Sequence, residues 1–160
     1  AEVSYQHEPL DVGVVLAQAL AGMASRLADA GLQLHQVLPA SPLPVLGEAR
    51  RLEQVFVNLL ENAARYTDAG GQVRVVARTV SGRQVEIVVE DSAPGVPADR
   101  RVRLFERFYR VDSSRARARG GSGLGLAICQ HIVQAHRGTI TADDSPLGGL
   151  RITLTLPLQP

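Results

Sequence analysis

The chain's 160 residues are 45% apolar, enough for one domain with its own hydrophobic core. Its 17 lysines and arginines nearly balance 16 aspartates and glutamates, so overall charge points to neither nucleic acid nor a membrane surface as partner. The single cysteine, Cys129, rules out an intrachain disulfide and leans toward an intracellular setting; no apolar run approaches the ~20 residues of a membrane span, and no signal peptide opens the chain.

The opening "AEVSYQHEPLDV" reads as the inside of a longer protein. Asp11 stands where a helix cap is expected, because Val12, Val15, Leu16, Ala19, Leu20, Met23 and Leu27 follow at helical spacing, with Gly31 past the end. "LQLHQVL" alternates like a strand, and "SPLP" interrupts it before a short "VLG". A second helix is predicted over 49–66, carried by Leu52, Val55, Phe56, Leu59, Leu60 and Ala63 and stopped by "TDAGG". "QVRVVARTV" and "QVEIVVE" flank "SGR" as an antiparallel hairpin. A long loop follows from Asp91 to Gly121, with at most one short helix near Val102–Phe105; loops of that length inside a compact domain usually serve function. The last helix is predicted from Gly123 to about Arg137, with Gly138 as its cap, and "GTITAD" and "LRITLTLPL" close the chain as a hairpin around "SPLGG". Two antiparallel hairpins and three helices are best met by an α+β, two-layer sandwich: a mixed, mostly antiparallel sheet covered on one face by three helices. The alternating order of a doubly wound nucleotide fold is missing.

Three stretches carry chemistry. On the second helix Asn58 and Asn62 share a face, and Arg65 and Tyr66 extend it by a turn, with Glu61 beside them. Asparagine is a mediocre helix former, so the pair is either an exposed face or a use, and its neutral amide oxygens suit a Mg²⁺ that draws charge from substrate phosphates. In "VEDSAPGVP", Asp91 ends a strand and opens a turn, which taken alone is more often structural than functional. "ARGGSGLGLAICQHI" sets Gly121, Gly123 and Gly125 on alternate positions at a helix start, where backbone N–H groups and the helix dipole can face an anion; glycines for close packing are the alternative. No lysine follows to make a P-loop, no strand precedes to make a dinucleotide fingerprint with Asp143 or Asp144, and the protein-kinase partners "HRD" and "DFG" are absent. Arg110, Arg115, Arg117 and Arg119 could grip phosphates or keep a loop solvated. A nucleic-acid partner is not expected, since no aromatic platform accompanies the arginines.

In this order the stretches resemble the catalytic ATP-binding domain of bacterial sensor histidine kinases, whose fold is the Bergerat ATP-binding fold. "NLLENAARYT" is similar to that family's N box, "DSAPGVP" to its first glycine box, "LFERFYR" to its F box and "GGSGLGLAI" to its second glycine box; "SPLGGLRITLTLP" resembles its closing hairpin. The resemblance implies ATP and Mg²⁺ as cofactors, with Asn62 on the metal, Asn58 beside the phosphates, Arg65 reaching phosphate and Tyr66 packing near the base. Asp91 would accept from the adenine amino group, with Gly95 and Val96 nearby. The second glycine box, Gly121, Ser122, Gly123, Leu124, Gly125 and Leu126, would hold the phosphate side. Residues from Arg110 to Ser122 would form a lid, with Arg110 and Arg115 on phosphate and Phe105 and Phe108 anchoring it. Ala93 stands where the family usually has glycine.

The resemblance also implies a single ATP-binding domain over residues 1–160 of a longer, membrane-anchored homodimeric sensor kinase, the piece itself being monomeric. Its partners would be its own dimerisation and phosphoacceptor domain and a response regulator. None of His7, His35, His131 and His136 sits in an acceptor box: His35 reads as a strand residue, His131 and His136 as helix-surface residues. Related ATPases usually carry glutamate at the position of Asn58 to activate water, which weighs against a hydrolase; an anti-sigma serine kinase and a non-catalytic nucleotide-sensing module are the other readings.

Overall fold

The computed structural model describes residues 7–92, 104–105 and 125–160. In chain order they form β1 (Glu8–Asp11), α1 (Val12–Asp29), β2 (Gln33–Val37), β3 (Pro44–Gly47), α2 (Ala49–Tyr66), β4 (Gln72–Val80), β5 (Gln84–Asp91), α3 (Gly125–Ala135), β6 (Thr139–Asp144) and β7 (Leu150–Pro157). The sheet runs β2-β4-β5-β7-β6, with β2 parallel to β4 and every other neighbour antiparallel.

Alternation builds the sheet's inner face. Val73, Val75 and Ala77 of β4, Val85, Ile87 and Val89 of β5, and Ile152, Leu154 and Leu156 of β7 are buried, while Arg74, Arg78 and Glu86 point the other way. Against that face lie the helical stripes, including Leu52, Phe56, Leu59 and Leu60 of α2, each worth about 1.5–3 kcal/mol as a fully buried side chain. The β4–β5 turn follows the expected "SGR": Ser81 and Gly82 both take positive φ (56° and 62°), the geometry that matches strand twist.

Asp11 caps α1 as expected: its Oδ1 accepts the Gly13 N–H at 2.9 Å and also the Leu43 N–H at 3.0 Å, tying the helix start to the segment before β3. Gly31 (φ 77°) ends the helix, with its N–H donating to the Ala28 carbonyl and the Leu32 N–H to the Leu27 carbonyl. By length and composition alone α1 is apolar enough to cross a membrane, but its stripe from Val12 to Leu27 packs into the core.

Three expectations need correction. β1 was not expected: four residues including Pro9 carry little strand signal, and the strand exists because it pairs antiparallel with β3, Glu8 opposite Gly47 through Asp11 opposite Pro44. The left-handed residue after α3 is Arg137 (φ 61°), not Gly138. Gly138 is required for a different reason: a Cβ there would run into the Thr155 carbonyl oxygen. His136 is not a surface residue but 3% exposed, because it continues the stripe of Cys129, Ile132 and Val133 by one turn. Of the short helix near Val102–Phe105, only Leu104 and Phe105 are described; they form a turn, Leu104 in the core and Phe105 packed against it.

Candidate functional site

β5 carries Asp91 to the end of the sheet's inner face, where it is 8% exposed. Its Oδ1 accepts the Leu150 N–H at 3.1 Å, and its carbonyl accepts the Gly149 N–H at 3.2 Å. Gly149 is needed for this approach, since a Cβ would strike the Ser92 backbone. Burial pushes the Asp91 carboxyl up to about 7; the Leu150 N–H and the Thr67 hydroxyl pull it back, and the neighbouring Glu90 adds to the rise. Thr67 is itself buried, and its hydroxyl falls short of good hydrogen-bond geometry with Asp91 or any other described group. A buried acceptor and an unsatisfied hydroxyl thus face one spot, which suits a polar ligand edge.

The turn after α2 presses on the same spot. Gln72 and Ser92 exchange hydrogen bonds, Ser92 N–H to the Gln72 carbonyl at 3.1 Å and Gln72 N–H to Ser92 Oγ at 3.0 Å. Gly71 keeps the turn close: a Cβ there would meet the Asp68 carbonyl and Thr67 Cγ2, both at 2.9 Å.

On α2, Asn58, Asn62 and Tyr66 are half-buried along one face. The start of α3 rests on this face, with the Cβ position of Gly125 at 4.0 Å from Asn58 Cβ and Cγ. One turn on, burial pushes the Cys129 thiol up to about 12, opposed by a hydrogen bond with the Asn58 side chain; its Sγ also donates to the Val55 carbonyl at 3.6 Å. Leu126 faces the core. Arg65 follows Asn62 by one turn of α2, and its Nε lies 3.4 Å from Glu61 Oε1, which also holds Arg26 of α1 at 3.2 Å. Arg26, Arg65, Ala64 and Thr67 line an open depression of about 280 Å³ between α1 and the end of α2. Gly95, Val96, Arg110, Arg115, Gly121, Ser122, Gly123 and Leu124, together with Ala93, Phe108, Arg117 and Arg119, lie outside the described residues.

The sequence pattern gives no sign of a site at Thr67, which it reads as part of a helix stop, at Gly149, which it reads as part of a hairpin turn, or at Leu150, which it reads as the start of a strand. The "GG" doublet was the available signal, since one glycine suffices for most turns. Among the described residues no group of three or more His, Cys, Asp or Glu side chains could hold a metal. A divalent ion here would need phosphate oxygens and neutral amides, which the Asn58–Asn62 face can complement.

A family model described as histidine kinase-, DNA gyrase B-, and HSP90-like ATPase matches residues 47–160. The chain belongs to this ATPase family. ATP is therefore its ligand, and the family's α+β fold is the one described above. The histidine-protein kinase BaeS of Escherichia coli strain K12 is 49% identical over 157 residues, covering 98% of the chain and 33% of that relative. The chain thus spans about a third of the length of this curated relative. Among solved structures, the mycobacterial sensor histidine kinase MprB superposes with a TM-score of 0.79 at 32% identity, covering 96% of this chain and 99% of that one. Full-length ShkA, solved in complex with AMPPNP, gives 0.81 at 29% identity, covering 99% of this chain and 32% of that one. BaeS and MprB both carry the name of histidine kinases.

Proposed function

We propose that this chain is the catalytic domain of a sensor histidine kinase, which binds ATP with Mg²⁺ and passes the γ-phosphoryl group to a histidine on the parent's dimerisation domain. The observation that carries the reading is the buried carboxyl of Asp91, which meets no cation among the described residues, beside the Asn-bearing helix. A carboxylate accepts from the exocyclic amine of adenine, whereas a 6-oxo purine would oppose it with a second acceptor, a mismatch worth a few kcal/mol. Asn62, with Asn58 beside it, would hold Mg²⁺, which supplies charge neutralisation at the phosphates.

In the transfer, the imidazole nitrogen forms a bond to the γ-phosphorus as the bond to the bridging oxygen breaks, releasing ADP. Neutral imidazole is nucleophilic near pH 7, so this domain's task is to orient the nucleotide and exclude water rather than to supply a strong base. Glu61 supports that division: it is the acid nearest the asparagines on α2, yet it is committed to Arg26 and Arg65. The water-activating ATPase reading lacks its base there, since Asn58 cannot take a proton. Arg110 and Arg115 would contact phosphate, and a response regulator would take the phosphoryl group from the histidine. The parent would be a membrane-anchored homodimer, as expected of sensor kinases, with this domain monomeric.

Mixing the domain, Mg²⁺ and γ-labelled ATP with a separately prepared dimerisation domain tests the reading. Label on histidine is expected; phosphate released to water at comparable speed would instead support the ATPase alternative.

A further inference from the structure

Glu90, next to Asp91 on β5, points to the sheet's outer face, yet it is only 1% exposed. Its Oε2 accepts from Arg151 Nε at 3.0 Å and from the Ser145 hydroxyl at 3.2 Å, and Arg74 Nη1 lies 3.4 Å from its Oε1. Arg74, Glu90 and Arg151 are directly opposite one another across three strands, so the ion pairs follow from register. The Ser145 contact does not, for Ser145 begins the turn between β6 and β7. That turn is closed by the Ser145 N–H on the Gly149 carbonyl at 2.8 Å, the Gly148 N–H on the Ser145 carbonyl at 3.0 Å and the Leu147 N–H on Ser145 Oγ at 3.0 Å. Its far end delivers the Gly149 and Leu150 N–H groups to Asp91. One turn is therefore fastened at its first residue to Glu90 and at its last to Asp91, on opposite faces of the sheet.

We infer that Glu90 is a positioning residue for nucleotide selection: through Ser145 it sets the turn that aims the Leu150 N–H at Asp91 Oδ1, leaving the other carboxylate oxygen for the purine 6-position. This rests on the assignment of Asp91 to the adenine amine. Without the Glu90 anchor the turn can shift, Asp91 loses its fixed donor, and the carboxyl rotates among orientations that no longer separate an amine from a carbonyl.

The test is the ratio of affinities for ATP and inosine triphosphate, which share phosphates and ribose and differ at the purine 6-position. Glu90→Gln keeps the side chain's size; it is expected to reduce the ATP preference about fivefold, with inosine triphosphate affinity within about twofold of wild type. Ser145→Ala should act in the same direction by about twofold. Glu86→Gln breaks a more exposed ion pair, with Arg78 at 3.0 Å on the same face but away from the turn, and should leave the ratio unchanged. Equal weakening of both nucleotides in Glu90→Gln, or no change in either, overturns the inference. If Glu90→Gln fails to fold, Ser145→Ala decides, and an unaltered ratio there rejects it. Asp91→Asn, measured in parallel, separates the two levels. A ratio indifferent to Asp91→Asn sinks the adenine assignment itself, whereas one that collapses there and survives in Glu90→Gln sinks only the role given to Glu90.

Discussion

Two carboxylates end β5 side by side, and the two faces of the sheet treat them oppositely. On the outer face Glu90 is buried between Arg74 and Arg151 with a hydroxyl to complete its shell. On the inner face Asp91 is buried with one backbone N–H, a nearby threonine and no cation among the described residues, and its carboxyl rises to about 7. A charge neutralised within the chain is a fastener; one left short of partners awaits a donor from elsewhere.

The largest effect should come from removing the unneutralised charge. Because the folded-state pKa of Asp91 is raised from 3.8 to about 7, the ligand-free protein keeps this contribution to stability below about pH 4 and loses it as pH rises through about 7. Asp91→Asn is therefore expected to stabilise the ligand-free domain at pH 8, by up to roughly 4 kcal/mol, with the gain vanishing near pH 4. Urea unfolding at the two pH values measures this, and equal stability of wild type and variant at pH 8 would contradict the stated environment of Asp91. The same substitution should lower ATP affinity by about 100-fold at pH 8, seen by calorimetric titration. Stability gained while binding is lost is the signature of a functional group rather than a structural one.

On the outer face the sign reverses. Arg151→Gln leaves Glu90 with Arg74 as its one cation among the described residues and should cost about 1–2 kcal/mol at neutral pH, read from the same urea curves. A stabilising outcome would mean that the two faces are not distinct.

The smallest effect belongs to His136, a buried base. Its Nδ1–H donates to the Ile132 carbonyl at 2.8 Å, and its Nε2 accepts the Glu48 N–H at 3.1 Å, so only the neutral ring fits. Burial, with His7 nearby, lowers its pKa below 6.5, while the Ile132 carbonyl and Glu48 oppose that shift. Its contribution is present above pH 6.5 and falls away as pH drops through the lowered value. A mild acid destabilisation below pH 6.5 that is absent in His136→Gln would confirm it by thermal unfolding.

Long periodic stretches were legible because burial enforces their spacing: the seven buried residues of α1 are the ones its pattern named. Both hairpins were legible from Val and Ile runs broken by turn residues. β1 was hidden because its evidence lies in β3, and Arg137 because a left-handed arginine carries no composition signal. For the site, sequence order could name Asn58 and Gly125 but not their contact. It could place Glu90 and Asp91 on opposite faces by alternation, yet not foretell which would be neutralised. The arginines that decide this sit 16 and 61 residues from Glu90, and pairing alone brings them there. His136 lay within reach, for it extends a visible stripe by one turn.

The imidazole that holds the Glu48 amide joins the last turn of α3 to the entrance of α2. Most amides at a helix entrance are open to solvent or capped by an oxygen that no mild acid will titrate. This one exchanges its proton behind a ring nitrogen that does titrate, so deuterium uptake at a single backbone position becomes a built-in gauge of how firmly the two helices are latched.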